Sequence, residues 1–149
     1  MTVKTQQDLS CNDIEVLIRY AKINKRVKRL ITLIRSFDTR IKCKEENTER
    51  YVNVSDIFYI ESVDKRTFIY LEKNVLRTDY RLYELAENLA DMGFVQISKS
   101  CILNINALES IKPLINSRME ATLHNGEKLY VTRKYLDNIR QALQGGTGI

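Results

Sequence analysis

From Ile41 the apolar residues recur at every second position, and the polar stretches between them are too short to hold a crossover helix. Candidate strands run over 41–44, 51–54, 57–62, 67–71 and 75–78. The intervening stretches are Glu45-Glu46-Asn47-Thr48-Glu49, Ser55-Asp56, Asp64-Lys65-Arg66 and Glu72-Lys73-Asn74. Parallel neighbours need connections of about a dozen residues or more, so this part of the chain is confined to antiparallel pairing. The run Ile57-Phe58-Tyr59-Ile60 has no polar alternation, which predicts a strand buried on both faces.

Downstream, Tyr80 to Leu89 reads as a helix with Leu82, Leu85, Ala86 and Leu89 on one face and Gly93 as a stop beyond it. The stretch 94–106 follows. Phe94 to Ile97 and Cys101 to Leu103 are apolar, and Ser98-Lys99-Ser100 breaks between them. Buried flanks hold such a turn in place, so the charge of Lys99 is presented at small ordering cost, and the two serines can brace the turn through backbone bonds. Strands are expected over 108–113 and 119–123, then a hairpin at His124-Asn125-Gly126-Glu127, where Asn-Gly supplies positive φ cheaply. Leu129 and Val131 continue the core face. Thr132 is positioned to cap a last helix with Leu136, Ile139 and Leu143 facing inward, ended by Gly145-Gly146.

Upstream, residues 1–13 are polar. Glu15-Val16-Leu17-Ile18-Arg19-Tyr20 reads as a strand from its β-branched and aromatic content, or equally as the start of the helix that follows. From Ile23, a stripe of Ile23, Val27, Leu30, Ile31 and Ile34 has helical spacing, with Lys25, Arg26, Lys28, Arg29 and Arg35 around it. The expected class is mostly β with short helices (α+β), an antiparallel meander preceded by a strand-helix extension. The expected division is an extension at 1–40 that could form a dimer contact, a main domain at 41–144 and a tail at 145–149.

The 149 residues suffice for one domain of ordinary size, and 44% apolar with 29% charged residues is a globular composition. No apolar run approaches the roughly 20 residues that span a bilayer, and Met1 to Ser10 lacks the apolar core of a signal peptide. Three cysteines without metal spacing suit free thiols in a reducing cytoplasm. The net charge of +5 lies in residues 1–40, which carry nine cations against four anions, while 41–149 balance at fifteen of each. Nucleic-acid binding by the later part must then use local clusters of charge.

Catalysis is the poorer class. The single histidine, His124, lies beside a hairpin turn with no nucleophile or orienting carboxylate signalled by spacing. There is no Gly-rich phosphate loop and no zinc spacing, and neither metal nor cofactor is expected. Three cationic segments do end buried strands: Lys65-Arg66, Lys99 and Arg133-Lys134. Strand ends can gather on one edge of a sheet, where Arg matches the paired acceptors of guanine and Lys reaches the same edge or a phosphate. The basic helix 24–36 supports the alternatives of an RNA binder or a protein- or membrane-interaction module. It can also be the solvated face of a packed helix.

The chain from about Ile41 to Leu143 resembles the LytTR family of bacterial DNA-binding domains. The resemblance runs through Val54-Ser55-Asp56-Ile57-Phe58-Tyr59-Ile60-Glu61-Ser62, Arg81-Leu82-Tyr83-Glu84-Leu85 and the stretch 94–105. It continues in Leu108-Glu109-Ser110-Ile111-Lys112, Leu123-His124-Asn125-Gly126-Glu127-Lys128-Leu129 and Val131-Thr132-Arg133-Lys134-Tyr135-Leu136. The resemblance implies a LytTR-type fold, an elongated stack of small antiparallel sheets with short helices, in which loops, not a helix, read successive major grooves of a bent promoter site. It implies contacts at Lys65 or Arg66, Lys99 and Arg133, with Lys99 and Arg133 on base edges. Lys134, Lys112 and Ser98 are the candidates for phosphate. Many members carry a phosphorylated receiver domain, for which residues 1–40 are too short. The expectation is therefore a stand-alone cytoplasmic regulator, homodimeric on repeated half-sites, with double-stranded promoter DNA as partner. A membrane or regulatory protein is a further possible partner.

Overall fold

The computed structural model describes residues 1–143; the expected end of the last helix at Gly145-Gly146 and the tail 145–149 lie outside them. Helix α1, Lys25–Phe37, comes first, capped by the Asn24 side chain, which accepts from the Val27 amide at 2.9 Å. Its stripe of Val27, Leu30, Ile31 and Ile34 is half-buried. Ten strands follow: β1 Arg40–Glu45, β2 Thr48–Asn53, β3 Tyr59–Val63, β4 Arg66–Tyr70, β5 Val75–Thr78, β6 Phe94–Ser98, β7 Cys101–Asn104, β8 Leu108–Leu114, β9 Arg118–Leu123 and β10 Lys128–Val131. Helix α2, Leu82–Asn88, falls between β5 and β6, and α3, Leu136–Leu143, closes the described chain.

All pairings are antiparallel, as the short connections require. Seven strands form one sheet in the order β2-β1-β5-β4-β3-β7-β6, and three form a second, β10-β9-β8. The mostly β class with short helices is thus what the chain adopts.

The apolar run at β3 has a direct explanation. Ile60 and its partners Ile69 and Ile102 face a core shared with Leu85 and Leu89 near α2. Tyr59, one residue earlier, faces the opposite way with Leu103, into a core completed by Ala121, Leu123, Val131 and Ile139. Successive side chains on a strand point to opposite faces, so a central strand between two cores must be apolar at both. On that second face Tyr59 and Tyr70 stack with centroids 4.1 Å apart.

Two local readings are corrected. Glu15–Tyr20 forms neither a helix nor a strand, and no other described segment pairs with it. Thr132 precedes the final helical turns, but its side chain does not cap them; its hydroxyl instead lies 3.5 Å from the Ile97 carbonyl. Leu136 and Ile139 are buried as expected, whereas Leu143 stays 37% exposed at the end of the described chain.

Candidate nucleic-acid interface

The site is built from turns. Between β3 and β4 the turn is only Asp64-Lys65, with both residues at positive φ, 50° and 64°. That geometry matches the twist of a two-residue hairpin; Asp64 tolerates it, but it is costly for a longer side chain such as Lys65. Between β6 and β7 the turn is Lys99-Ser100, and the Ser98 hydroxyl accepts from the Ser100 amide at 3.3 Å. The bracing role expected of Ser98 is therefore present.

Because β3 pairs with β7, these turns lie at the same end of the sheet. The Ser62 amide donates to the Ser100 carbonyl at 2.8 Å and joins them directly. Lys65, Lys99 and Arg81 line one open groove of about 850 Å³ between the two turns and the start of α2. Arg81 reaches toward the Lys65 carbonyl at 3.5 Å, and its own amide donates to Glu84 Oε1 at 3.1 Å. Tyr83, on the same groove, is 72% exposed.

Arg133 is placed by a different bond. The Thr132 amide donates to the Ile97 carbonyl at 2.9 Å, so the chain enters the Arg133 turn beside the end of β6, two residues before Lys99. Lys134 is exposed next to it, with its ammonium 5.6 Å from the Tyr135 ring centroid. Thus Lys65, Ser98 and Lys99 share one end of the seven-stranded sheet, and Arg133 and Lys134 follow Thr132 beside the end of β6.

Two of the expected residues differ in placement. Arg66 lies at the same rim but alternates with Thr67, which puts it on the Phe68 and Tyr70 face, away from the groove. Lys112 is opposite Glu120 on the outer face of the three-stranded sheet, where Glu120 pairs with Lys128 at 3.5 Å. None of Lys65, Arg66, Lys99, Lys112, Arg133 and Lys134 has a carboxylate within 4.0 Å among the described residues. Lys42, Lys44 and Arg50 on β1 and β2, by contrast, are each held by one.

Arg81 was not picked out from the sequence as a site residue. Its signal was the segment Arg81-Leu82-Tyr83, which reads simply as the start of a helix. The basic side of α1 is separate from this rim. Lys25, Lys28 and Arg29 border a second groove, of about 560 Å³, beside Gly93, Phe94 and Val95 at the start of β6. Lys99 follows the other end of that strand, roughly 13 Å away at about 3.3 Å per residue. No group of three or more His, Cys, Asp or Glu side chains among the described residues could hold a metal ion.

Comparison with known proteins adds a family. The profile described as "LytTr DNA-binding domain" matches residues 48–144. The sensory transduction protein LytT of Bacillus cereus is 29% identical over 93 residues, covering 62% of this chain and 38% of that protein. LytT of Enterococcus faecalis is 27% identical over 94 residues, covering 62% and 39%. This chain thus spans well under half the length of either. An HTH-type transcriptional regulator of Staphylococcus aureus, itself uncharacterized, is 26% identical over 133 residues, 85% of this chain and 86% of that one. Among solved structures, a LytTr DNA-binding domain from Bacillus cereus superposes with a TM-score of 0.67 at 26% identity, covering 71% of this chain and 97% of that one.

Proposed function

Because this chain belongs to the LytTr DNA-binding domain family, we propose that it is a transcription regulator that reads promoter repeats in the major groove with turns, as a homodimer. Lys99 and Arg133 meet base edges. Lys65, with Arg66 behind it, approaches from the neighbouring turn, and Lys134, Ser98 and Lys112 serve phosphates. Lys112 does so from the outer face of the three-stranded sheet. The protein works in the cytoplasm; no helix among the described residues is long and apolar enough to cross a membrane.

The observation that carries this reading is the bond between Ser62 and Ser100, which locks two cation-bearing turns side by side. Fixed cations suit base readout, since little side-chain and loop entropy is lost on binding. The family is one of DNA-binding domains, which favours this reading over a catalytic one. The relative from Staphylococcus aureus is called HTH-type, yet here α2 leads through a 3-10 turn at Ala90–Met92 into a strand, not into a second helix. That supports reading by turns.

The test starts from a duplex site selected from a randomised pool by the whole chain. Arg133→Ala and Lys99→Ala should each lose about 1–3 kcal/mol of preference for that site over an unrelated duplex, with folding intact. Unchanged preference would remove the residue from base reading. The second reading, in which the groove beside Lys25, Lys28 and Arg29 takes RNA or an acidic partner, predicts that single-stranded RNA competes and that substitutions in α1 abolish binding.

A further inference from the structure

Ile14-Glu15-Val16-Leu17-Ile18-Arg19-Tyr20 has the composition of a strand, yet nothing pairs with it. Among the described residues, the backbone groups of 15–20 have no hydrogen-bond partner, and the Ile14 amide reaches only its neighbour Asp13 Oδ1, at 2.7 Å. Ile14 and Leu17 are 86% and 82% exposed, and Val16 and Tyr20 are also open; only Ile18 is half-buried. A strand-forming segment with free backbone groups and bare apolar side chains is a template for another strand.

We propose that this segment pairs antiparallel with the same segment of a second copy, about a two-fold axis at Leu17. The inference rests on the homodimer proposed above, and not on which turns meet DNA. The segment is complementary to itself in charge. Centred on Leu17, the pairing sets Glu15 opposite the partner copy's Arg19 twice over, Val16 opposite Ile18, and Ile14 opposite Tyr20. Slipping by one residue either way puts Glu15 opposite Ile18 or Tyr20, and centring on Val16 puts it opposite Leu17. Only the Leu17 register satisfies both charges. It also gathers Ile14, Val16, Ile18 and Tyr20 of both copies on one face of the ribbon, with the charges on the other. The occupant is then a second copy, because no separate partner has to supply the matching pattern.

The test uses the full chain without DNA, in a Cys11→Ser background that removes the exposed thiol. Residues facing each other across the axis have Cα atoms about 4.5–5.5 Å apart, within disulfide reach. Mild oxidation of Leu17→Cys should give a covalent dimer in high yield, and Val16→Cys little. In sedimentation, Glu15→Arg or Arg19→Glu alone should weaken association roughly tenfold by setting like charges opposite each other. The double variant Glu15→Arg/Arg19→Glu should restore it. If the wild-type chain is dimeric but Val16→Cys cross-links as well as Leu17→Cys, or the double variant stays weak, this pairing is wrong and the dimer stands on another surface. A wild-type chain that stays monomeric with Leu17→Cys uncross-linked overturns both.

Discussion

The Ser62 amide donates to the Ser100 carbonyl at 2.8 Å, and that bond ties the turn bearing Lys65 to the turn bearing Lys99. Ser62 and Ser100 are far apart in sequence. Pairing of β3 with β7 brings them together and leaves the groove shared by Lys65, Lys99 and Arg81.

Arg81 borders that groove without the strand-end placement of the other cations. Its substitution by Ala should weaken binding to selected and unrelated duplexes by similar factors. It should also lower the slope of log affinity against log salt by about one, as loss of a single phosphate contact does. Titrations at several salt concentrations measure this, and a change confined to the selected site would make Arg81 a base reader.

Lys65 sits at φ 64° in a turn that favours glycine. Lys65→Gly should relieve about 1–2 kcal/mol of backbone strain and add about 0.5–1 kcal/mol of chain entropy cost. The expected net is a fold more stable by roughly 0.5–1 kcal/mol that binds DNA more weakly. Denaturant melts beside binding curves check both halves.

Asn104 is a buried polar side chain on β7. Its Nδ2 donates to the Ile57 carbonyl at 2.8 Å, and its Oδ1 accepts from the Asn106 amide at 3.0 Å. Asn104→Ala leaves both backbone groups without that partner. It should cost about 1–3 kcal/mol, a fall in Tm of roughly 3–10 °C for a chain of this size. Thermal unfolding followed by circular dichroism gives the answer.

Burial pushes the Cys43 thiol up to about 11 and the Cys101 thiol up to about 12, from the usual 9.0. The folded chain then keeps protons that the unfolded chain releases, so this contribution to stability is intact below pH 9. It is lost as pH rises from about 9 toward the folded values. Urea midpoints should fall between pH 8.5 and 10, and Cys43→Ala/Cys101→Ala should flatten that fall. A thiol reagent at pH 8 should modify Cys11, the exposed cysteine, long before the other two.

Much of the fold was legible because period-two patterning and short connections leave antiparallel sheet as the one economical solution. The double-sided burial of β3 followed from its lack of polar alternation. Segment 15–20 was misread because side-chain composition reports the tendency to form a strand but not whether a partner is present in the same chain. Lys65, Lys99 and Arg133 stand out in the sequence because each follows an apolar run. Arg81 could not, since its proximity to Lys65 comes from a contact across sixteen residues, visible only once β4 and β5 have paired. Lys112 illustrates the opposite limit: position in a strand does not say which sheet the strand joins or which side that sheet turns outward.

The outer margin of β6 is occupied by its own chain, through the Thr132 amide on Ile97 and the Asn138 side chain 3.5 Å from the Gln96 carbonyl. At the far margin, β2 carries Glu49 and Arg50, each tied to β1 by an ion pair. One border is plugged and the other is guarded by charge, so neither invites a neighbouring molecule to extend the sheet. Edge-to-edge growth of the seven-stranded sheet is therefore opposed at both of its borders.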